Sequence, residues 1–244
     1  MFTVANLACG FRSIIISSGA QAYIGEVYYR NLTEAVWLII LAAFLDFLDG
    51  LVARLSKTSS RFGVELDSLT DIVSFGVAPA VLLINFDLIP HANMGWILAF
   101  IFLMTGCFRL ARFNLTAKLE QKVNFVGLPI PSAAILIVSY VLFSIEIWGK
   151  IAMEKFFIVL VIATSVLMVS AIEFETMPKF DFTNRRNRLK VIFIILVALA
   201  VMINASIAIF PVVLIYIVYS LIKFIIAMFS NGYWRPLKRN DVKT

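Results

Sequence analysis

Four aspartates lie within 26 residues of otherwise apolar sequence, at Asp46, Asp49, Asp67 and Asp71. On a helix, the first pair (i, i+3) shares one face, and the second pair (i, i+4) shares another. Four close carboxylates repel one another, so they are either protonated or neutralised by a cation. Carboxylate oxygens without nearby histidine or cysteine suit Mg²⁺ or Mn²⁺. A pair of bridged ions would neutralise all four charges.

The first two aspartates end one apolar stretch, and the other two begin the next. Because the linker at 56–61 is short, the two helices should be antiparallel neighbours with converging acidic faces. Gly50 and Gly63 each lie one turn from an aspartate and let a ligand approach the backbone, although close helix packing is an alternative. Arg54 and Ser60 could contact a phosphate or a nucleotide. The alternatives for these two are a topology-determining charge and an ordinary loop hydroxyl.

The composition indicates where these helices lie. The chain has 244 residues, of which 61% are hydrophobic and 15% charged, with a mean hydropathy of +0.96. Soluble domains are roughly 45–50% apolar and about 25% charged, so a water-soluble globule is excluded, and an aromatic content of 14% excludes disorder. Cys9 and Cys107 lie in apolar runs and are predicted to be lone buried thiols. The sequence therefore predicts an integral membrane protein.

Apolar stretches long enough to cross a bilayer need about 17–25 residues. The sequence contains eight candidates, which predict an all-α, polytopic transmembrane helical bundle. The last two are expected to meet near Pro211 in a tight hairpin. The chain is interpreted as a single integral membrane domain over 1–244, with a core at 1–173 and an additional hairpin at 190–229. The predicted stretches are 5–25, 34–55, 62–86, 95–113, 127–148, 155–173, 190–208 and 211–229.

The distribution of positive charge predicts the orientation. Sixteen basic residues fall at 54–61, 109–122, 179–190 and 235–243, whereas the opposite loops hold three. By the positive-inside rule, both termini and the acidic site face the cytoplasm. Because the charge lies in short loops and not on a soluble module, no nucleic-acid partner is expected. The basic loops can also attract anionic membrane lipids, although topology alone would explain them.

The acidic segment resembles the signature of the CDP-alcohol phosphotransferase family. All eight fixed positions are present with the family's spacing. Further segments resemble the branch that uses serine as acceptor, namely 67–79, 109–114, 127–131 and the Asn6 to Phe11 region. One difference is Glu173-Phe174, where related synthases often carry an arginine followed by an aromatic residue. The signature reads Asp46-x2-Asp49-Gly50-x2-Ala53-Arg54-x8-Gly63-x3-Asp67-x3-Asp71.

The resemblance implies transfer of the phosphatidyl group of CDP-diacylglycerol to the hydroxyl of L-serine, with release of CMP. It implies two divalent ions, Mg²⁺ or Mn²⁺, held by Asp46, Asp49 and Asp67. Asp71 would be the general base and could also contact a metal. The resemblance further suggests a homodimer in the cell (inner or plasma) membrane. The CDP-lipid would be bound by Asn6, Gly50, Ala53, Arg54, Ser60 and Gly63.

A serine acceptor carries a carboxylate, for which the fork geometry of an arginine is well suited. Arg109 and Arg112 lie three residues apart at the cytoplasmic end of the fourth predicted span, followed by Asn114. We expect one of these arginines to bind the serine carboxylate and the other a lipid phosphate. A topology-determining role is the alternative for each. His91, the single histidine of the sequence, is predicted in a loop on the opposite side of the membrane.

Three other functions are compatible with parts of the pattern. The same chemistry could use another acceptor, such as glycerol phosphate or inositol phosphate, or an archaeal lipid donor. A cation or proton transporter could use intramembrane carboxylates, but transporters usually show internal repeats and a site near the midplane. A structural metal site in a scaffold protein is the third alternative.

Overall fold

The computed structural model describes residues 1–20, 22–56, 61–85, 92–119, 126–172, 174 and 199–230. Within these residues every regular element is a helix, which confirms the all-α prediction. A π-helical segment at Ile72–Val77 joins the third helix to the fourth. The helices are α1 (Phe2–Ala20), α2 (Glu26–Ser56), α3 (Arg61–Asp71), α4 (Ala78–Ile84), α5 (Ala92–Leu119), α6 (Ile130–Trp148), α7 (Glu154–Val169) and α8 (Ala205–Ser230).

Five helical segments in the described part of the chain are long and apolar enough to cross a bilayer. One of them runs continuously from α3 through the π-helical segment into α4. The protein is therefore an integral membrane protein, as its composition predicts. The first nine residues of the predicted stretch 190–208 lie outside the described residues. The five segments are Glu26–Ala53, Phe62–Ile84, Met94–Leu115, Ile130–Trp148 and Ala205–Ile226.

The predicted boundary near Pro211 is wrong, because Pro211 lies inside α8. The break falls at Asn204, between a helical segment at 199–203 and the start of α8. The Asn204 side-chain oxygen accepts a hydrogen bond from the Ile207 backbone N–H at 3.3 Å. Asparagine is a favoured N-cap residue because its side chain satisfies an otherwise unpaired N–H. A proline within a transmembrane helix is tolerated, so the cap sets the boundary here.

Contacts between helices distant in sequence show which helix ends lie together. The Thr3 hydroxyl, at the start of α1, donates a hydrogen bond to Asp49, near the end of α2. The Asn114 side-chain amide, near the end of α5, donates to the Ser68 hydroxyl of α3 at 3.0 Å. These contacts gather the start of α1, the end of α2, the later part of α3 and the end of α5. We call this region, which contains the four motif aspartates, the acidic end of the bundle.

The last helix returns to the acidic end. At its start, the Asn204 side-chain amide donates a hydrogen bond to Glu146 at 3.4 Å, near the end of α6. Since α6 begins beside the acidic end and runs away from it, α8 begins at the opposite end. A helix of 26 residues spans about 39 Å, so α8 runs back along α6. The start of α1 and the end of α8 therefore lie at the same end of the bundle.

The interior holds large aromatic side chains and close helix contacts. Tyr140 of α6 is 1% exposed and stacks on Phe157 of α7 with ring centroids 5.2 Å apart. Nearer the acidic end, α1 packs directly on the π-helical segment. A Cβ atom added at Gly10 would lie 2.7 Å from the Ser74 Cα, which is closer than atoms can approach. Gly10 therefore allows the contact, as small residues do where membrane helices pack.

Candidate active site

Three of the four motif aspartates converge in the structure. Asp46 of α2 and Asp67 and Asp71 of α3 each place one carboxylate oxygen within 4.8 Å of the others. Oxygens on opposite sides of an octahedral Mg²⁺ are about 4.2 Å apart, because each Mg–O bond is about 2.1 Å. The 4.8 Å limit is slightly above this separation, so the three carboxylates could hold one small divalent ion after a small shift of their side chains. The predicted convergence of the two acidic helix faces is confirmed for these three residues.

Asp49 borders the three-carboxylate group and adds negative charge to it. Its carboxylate interacts electrostatically with both Asp46 and Asp67. Asp46 and Asp71 also interact electrostatically, and two ionised carboxylates that lie this close repel each other unless a proton or a cation lies between them. A set of oxygen ligands carrying this much negative charge fits a hard divalent cation such as Mg²⁺ or Mn²⁺.

A threonine that the sequence did not single out supports the acidic group from α1. The Thr3 hydroxyl donates its hydrogen bond to an oxygen of Asp49. Thr3, Asn6 and Gly10 lie on one face of α1 at the spacing i, i+3, i+7. Asn6 and Gly10 contact Ser74, just after Asp71. The i, i+3, i+7 spacing of these three residues is the feature of the sequence that could have identified Thr3. Their contacts place α1 against both helices that carry the aspartates.

Replacing Thr3 by valine should weaken divalent-metal binding about tenfold, because hydrogen bonds to ligating groups typically contribute 10–100-fold to metal affinity. Thr3→Ser, which keeps the hydroxyl, should restore the affinity. The measurement is a Mn²⁺ titration of the purified protein, followed by the electron paramagnetic resonance of free Mn²⁺. The matched control is Thr105→Val, because the Thr105 hydroxyl donates only to carbonyls of its own helix among the described residues. Equal affinities for Thr3→Val and the wild type would contradict the role of Thr3.

Asp71 is the most enclosed of the four aspartates and faces an arginine. It is 9% exposed, and Arg109 of α5 is 6% exposed. The two side chains interact electrostatically. The Arg109 guanidinium also lies over the Phe113 ring, 5.3 Å from its centroid, in a cation–π contact. Within the described part of the chain, Asp71 Oδ1 and Arg109 Nε have no hydrogen-bond partner, so each keeps an unused polar atom at the site.

The other two predicted acceptor residues are engaged in contacts between helices. Arg112 donates hydrogen bonds to backbone carbonyls at the end of α7 and to that of Val126. Asn114 is hydrogen-bonded to Ser68, one residue after Asp67. The geometry therefore places Arg109 nearest to the aspartates, with Arg112 and Asn114 one turn and more beyond it on α5.

The predicted CDP-lipid residues lie around the aspartates as far as the structure describes them. Gly50 and Ala53 follow Asp49 on α2, and Gly63 precedes Asp67 by one turn of α3. Asn6 on α1 is fully buried, and neither atom of its side-chain amide has a partner among the described residues. An amide buried without a partner is costly, so a ligand group there would be stabilising. The Arg54 side chain and Ser60 lie outside the described part of the structure.

The sequence of this chain matches a known family. Residues 1–170 match the model of the CDP-alcohol phosphatidyltransferases. This match covers more than half of the chain and includes all four aspartates. The chain therefore belongs to the CDP-alcohol phosphatidyltransferase family. Family members depend on divalent metal, which agrees with the carboxylate group described above.

Three relatives make the comparison more specific. The CDP-diacylglycerol–serine O-phosphatidyltransferase of Helicobacter pylori is 32% identical over 232 residues, covering 93% of this chain and 91% of the relative. The enzyme of the same name from Methanocaldococcus jannaschii is 39% identical over 189 residues, covering 77% and 83%. An archaetidylserine synthase from Methanothermobacter thermautotrophicus is 35% identical over 187 residues, covering 74% and 69%. All three names specify serine products or serine as acceptor.

Proposed function

We propose that this protein is an enzyme that transfers the phosphatidyl group of CDP-diacylglycerol to the hydroxyl of L-serine, giving phosphatidylserine and CMP. The observation that carries this proposal is the convergence of Asp46, Asp67 and Asp71 on the two helices of the family signature. The serine acceptor is supported by the names of the relatives from Helicobacter and Methanocaldococcus.

In the proposed reaction the serine oxygen bonds to the phosphorus that carries diacylglycerol. The bond from that phosphorus to the oxygen shared with CMP breaks, and CMP leaves with the electron pair. Asp71 accepts the proton of the serine hydroxyl as general base, a role that positioned carboxylates can fill. Its carboxylate is enclosed, and its Oδ1 has no hydrogen-bond partner among the described residues, which supports this assignment. Among the described residues around the acidic group, the other carboxylates are assigned to metal binding.

Asp46, Asp49 and Asp67, with a contribution from Asp71, would hold two divalent ions, Mg²⁺ or Mn²⁺. When bound, such ions neutralise phosphate charge and stabilise the leaving group. The side chains themselves fix the position of the site at the acidic end of the bundle, where the diphosphate of a lipid substrate can reach it. We assign the binding of the CDP-lipid to Asn6, Gly50, Ala53, Arg54, Ser60 and Gly63.

Arg109 is assigned to the serine carboxylate, because among the described side chains it is the arginine that interacts with Asp71. Arg109→Lys should raise the KM for serine about tenfold, since a lysine cannot reproduce the two parallel hydrogen bonds of a guanidinium. The KM for CDP-diacylglycerol should change less than about twofold. Initial rates of CMP release across serine concentrations measure both constants. Arg12→Lys is the control, because Arg12 forms an exposed ion pair with Glu34; an unchanged serine KM in Arg109→Lys would contradict the assignment.

The arrangement in the membrane is also part of the proposal. We place both termini and the acidic end at the cytoplasmic side of the cell membrane, with about eight spans in a single domain over 1–244. Its parts are the core at 1–173 and the hairpin at 190–229. The positive-inside asymmetry and the shared end of α1 and α8 support this orientation. The active form is proposed to be a homodimer, as the family resemblance suggests.

The function is tested with an acceptor panel. Purified protein is supplied with CDP-diacylglycerol and, separately, with serine, glycerol phosphate or inositol phosphate, and CMP is measured. Serine is expected to be the acceptor that releases CMP. Release with another alcohol but not with serine would contradict the proposal. Because one relative is an archaetidylserine synthase, the panel is repeated with a CDP-archaeol donor, which should react more slowly than CDP-diacylglycerol.

A further inference from the structure

Arg112 makes an unusual number of contacts with the protein backbone. Its Nη1 donates a hydrogen bond to the carbonyl of Val169 at 2.9 Å. Its Nη2 lies 2.9 Å from the carbonyl of Val126, 3.1 Å from that of Ser170 and 3.4 Å from that of Met168. The last carbonyls of a helix have no partner within the helix. Arg112 of α5 therefore caps the end of α7 and joins it to the segment before α6.

Gly127 completes this contact. Its φ of +85° is in the left-handed region, and a Cβ atom there would lie 2.6 Å from Nη2 of Arg112 and would collide with the Met168 carbonyl. Its backbone N–H donates to Ile172 at 2.8 Å, and that of Leu128 donates to Leu167 at 3.1 Å. Glycine is therefore required for the chain to pass between Arg112 and α7. We call Arg112, Gly127 and the carbonyls of 168–170 the Arg112 clamp.

The clamp fixes the part of α5 that carries Arg109. Arg109 and Arg112 are three residues apart and lie on neighbouring positions of one helix face. The segment after Gly127 is anchored too, because Leu128 and Ile130 are fully buried. A Cβ atom at Gly106 would lie 2.6 Å from Ile130 Cδ1, so the start of α6 lies directly against α5 one turn before Arg109. The position of the Arg109 guanidinium thus depends on contacts on both sides of it.

We propose that Arg112 is a positioning residue for the acceptor: it holds the end of α5 so that Arg109 meets the serine carboxylate, and it does not bind serine itself. This inference rests on the proposed function, because it takes Arg109 as the residue that binds the acceptor. Four carbonyl contacts occupy the guanidinium of Arg112. Small displacements of a positioning group cost large factors in rate or affinity. Disrupting the Arg112 clamp should therefore raise the KM for serine and leave the KM for CDP-diacylglycerol nearly unchanged.

Two variants disturb the clamp from opposite sides. Arg112→Lys removes the fork that spans four carbonyls, and Gly127→Ala introduces the collision with Arg112 and Met168. Both should raise the serine KM about tenfold and change the KM for CDP-diacylglycerol less than about twofold. The matched control is Gly149→Ala, because Gly149 has a similar φ of +66° and no atom of the described residues lies within 4 Å of the added Cβ. It carries the same backbone strain without the collision, and its serine KM should stay at the wild-type value.

A double variant separates positioning from direct binding. If Arg112 acts through Arg109, Arg109→Lys combined with Arg112→Lys should have the serine KM of Arg109→Lys alone, within about twofold. If both arginines bind serine independently, the two effects should multiply, which would overturn the inference. Thermal unfolding in detergent is measured in parallel. Proportional losses in every kinetic constant, together with lower stability, would mean a purely structural role and would also overturn it.

The outcomes distinguish this inference from the proposed function. If serine supports CMP release and Arg109→Lys raises the serine KM, but neither Arg112→Lys nor Gly127→Ala does, the positioning role alone is overturned. If Arg109→Lys leaves the serine KM unchanged, the acceptor assignment and the positioning role are both overturned. If serine gives no CMP with any variant or with the wild type, the proposed function itself fails. Should Arg112→Lys not fold, Gly127→Ala provides the same test.

Discussion

Asp71→Asn should lower the rate of CMP release on the order of 10³-fold, the size of effect expected when a positioned general base is lost. The amide has nearly the shape of the carboxylate but cannot accept the proton of the serine hydroxyl. Binding of the CDP-lipid should remain largely intact, because Asp46, Asp49 and Asp67 still provide the negative charge of the site. Rates are measured as CMP release, and binding is measured as equilibrium retention of labelled CDP-diacylglycerol.

The control for Asp71→Asn is Glu65→Gln, which neutralises a carboxylate of the same helix outside the acidic group. Its CMP release should stay within about threefold of the wild type, since surface substitutions away from such groups usually have small effects. Full activity of Asp71→Asn would remove the general-base assignment. Loss of both CMP release and CDP-lipid binding would show that Asp71 acts in binding instead.

Asp46→Asn should weaken divalent-metal binding on the order of 100-fold, because it replaces one of the three converging carboxylates by a neutral amide. Loss of a hydrogen bond to a ligating residue typically lowers metal affinity 10–100-fold, and loss of an anionic ligand should lower it at least as much. Because less metal is bound, the rate of CMP release at a fixed low Mn²⁺ concentration should fall. A saturating Mn²⁺ concentration should restore part of that rate. A titration of CMP release against Mn²⁺ measures the apparent affinity.

Glu34→Gln is the control for Asp46→Asn, because Glu34 lies on the same helix and forms an exposed ion pair with Arg12. Its metal dependence should match that of the wild type. If Asp46→Asn and Glu34→Gln show the same apparent Mn²⁺ affinity, the three carboxylates do not form the metal site. A loss of activity that no Mn²⁺ concentration changes would indicate a structural role for Asp46.

The position of the acidic site could be predicted from the sequence because it depends on local regularities. Asp46 and Asp49 share a helix face by spacing alone, as do Asp67 and Asp71. A short linker then forces their two helices to be neighbours. The same regularities predict helices throughout the chain, since a backbone in lipid must satisfy its own hydrogen bonds. Predicting these features requires no knowledge of which segments distant in sequence are in contact.

What could not be predicted depends on contacts between distant segments. The hydrogen bond from Thr3 to Asp49 joins residues 46 positions apart, and the capping of α7 by Arg112 joins residues 57 positions apart. Local spacing gave Arg109 and Arg112 equivalent roles, and only the packing of α5 against α7 separates them. Pro211 was misinterpreted because proline normally marks a helix boundary, whereas the Asn204 cap competes with it only a few residues earlier.

The central claim is that the converging aspartates hold a divalent metal on which phosphatidyl transfer to serine depends. The most direct measurement uses purified protein in vesicles containing CDP-diacylglycerol, first depleted of divalent metal and then supplied with Mn²⁺ or Mg²⁺. CMP and phosphatidylserine are quantified with and without serine. The account predicts equal amounts of the two products, formed only when both serine and a divalent ion are present. Equal CMP release without metal, or CMP release without phosphatidylserine, would contradict it.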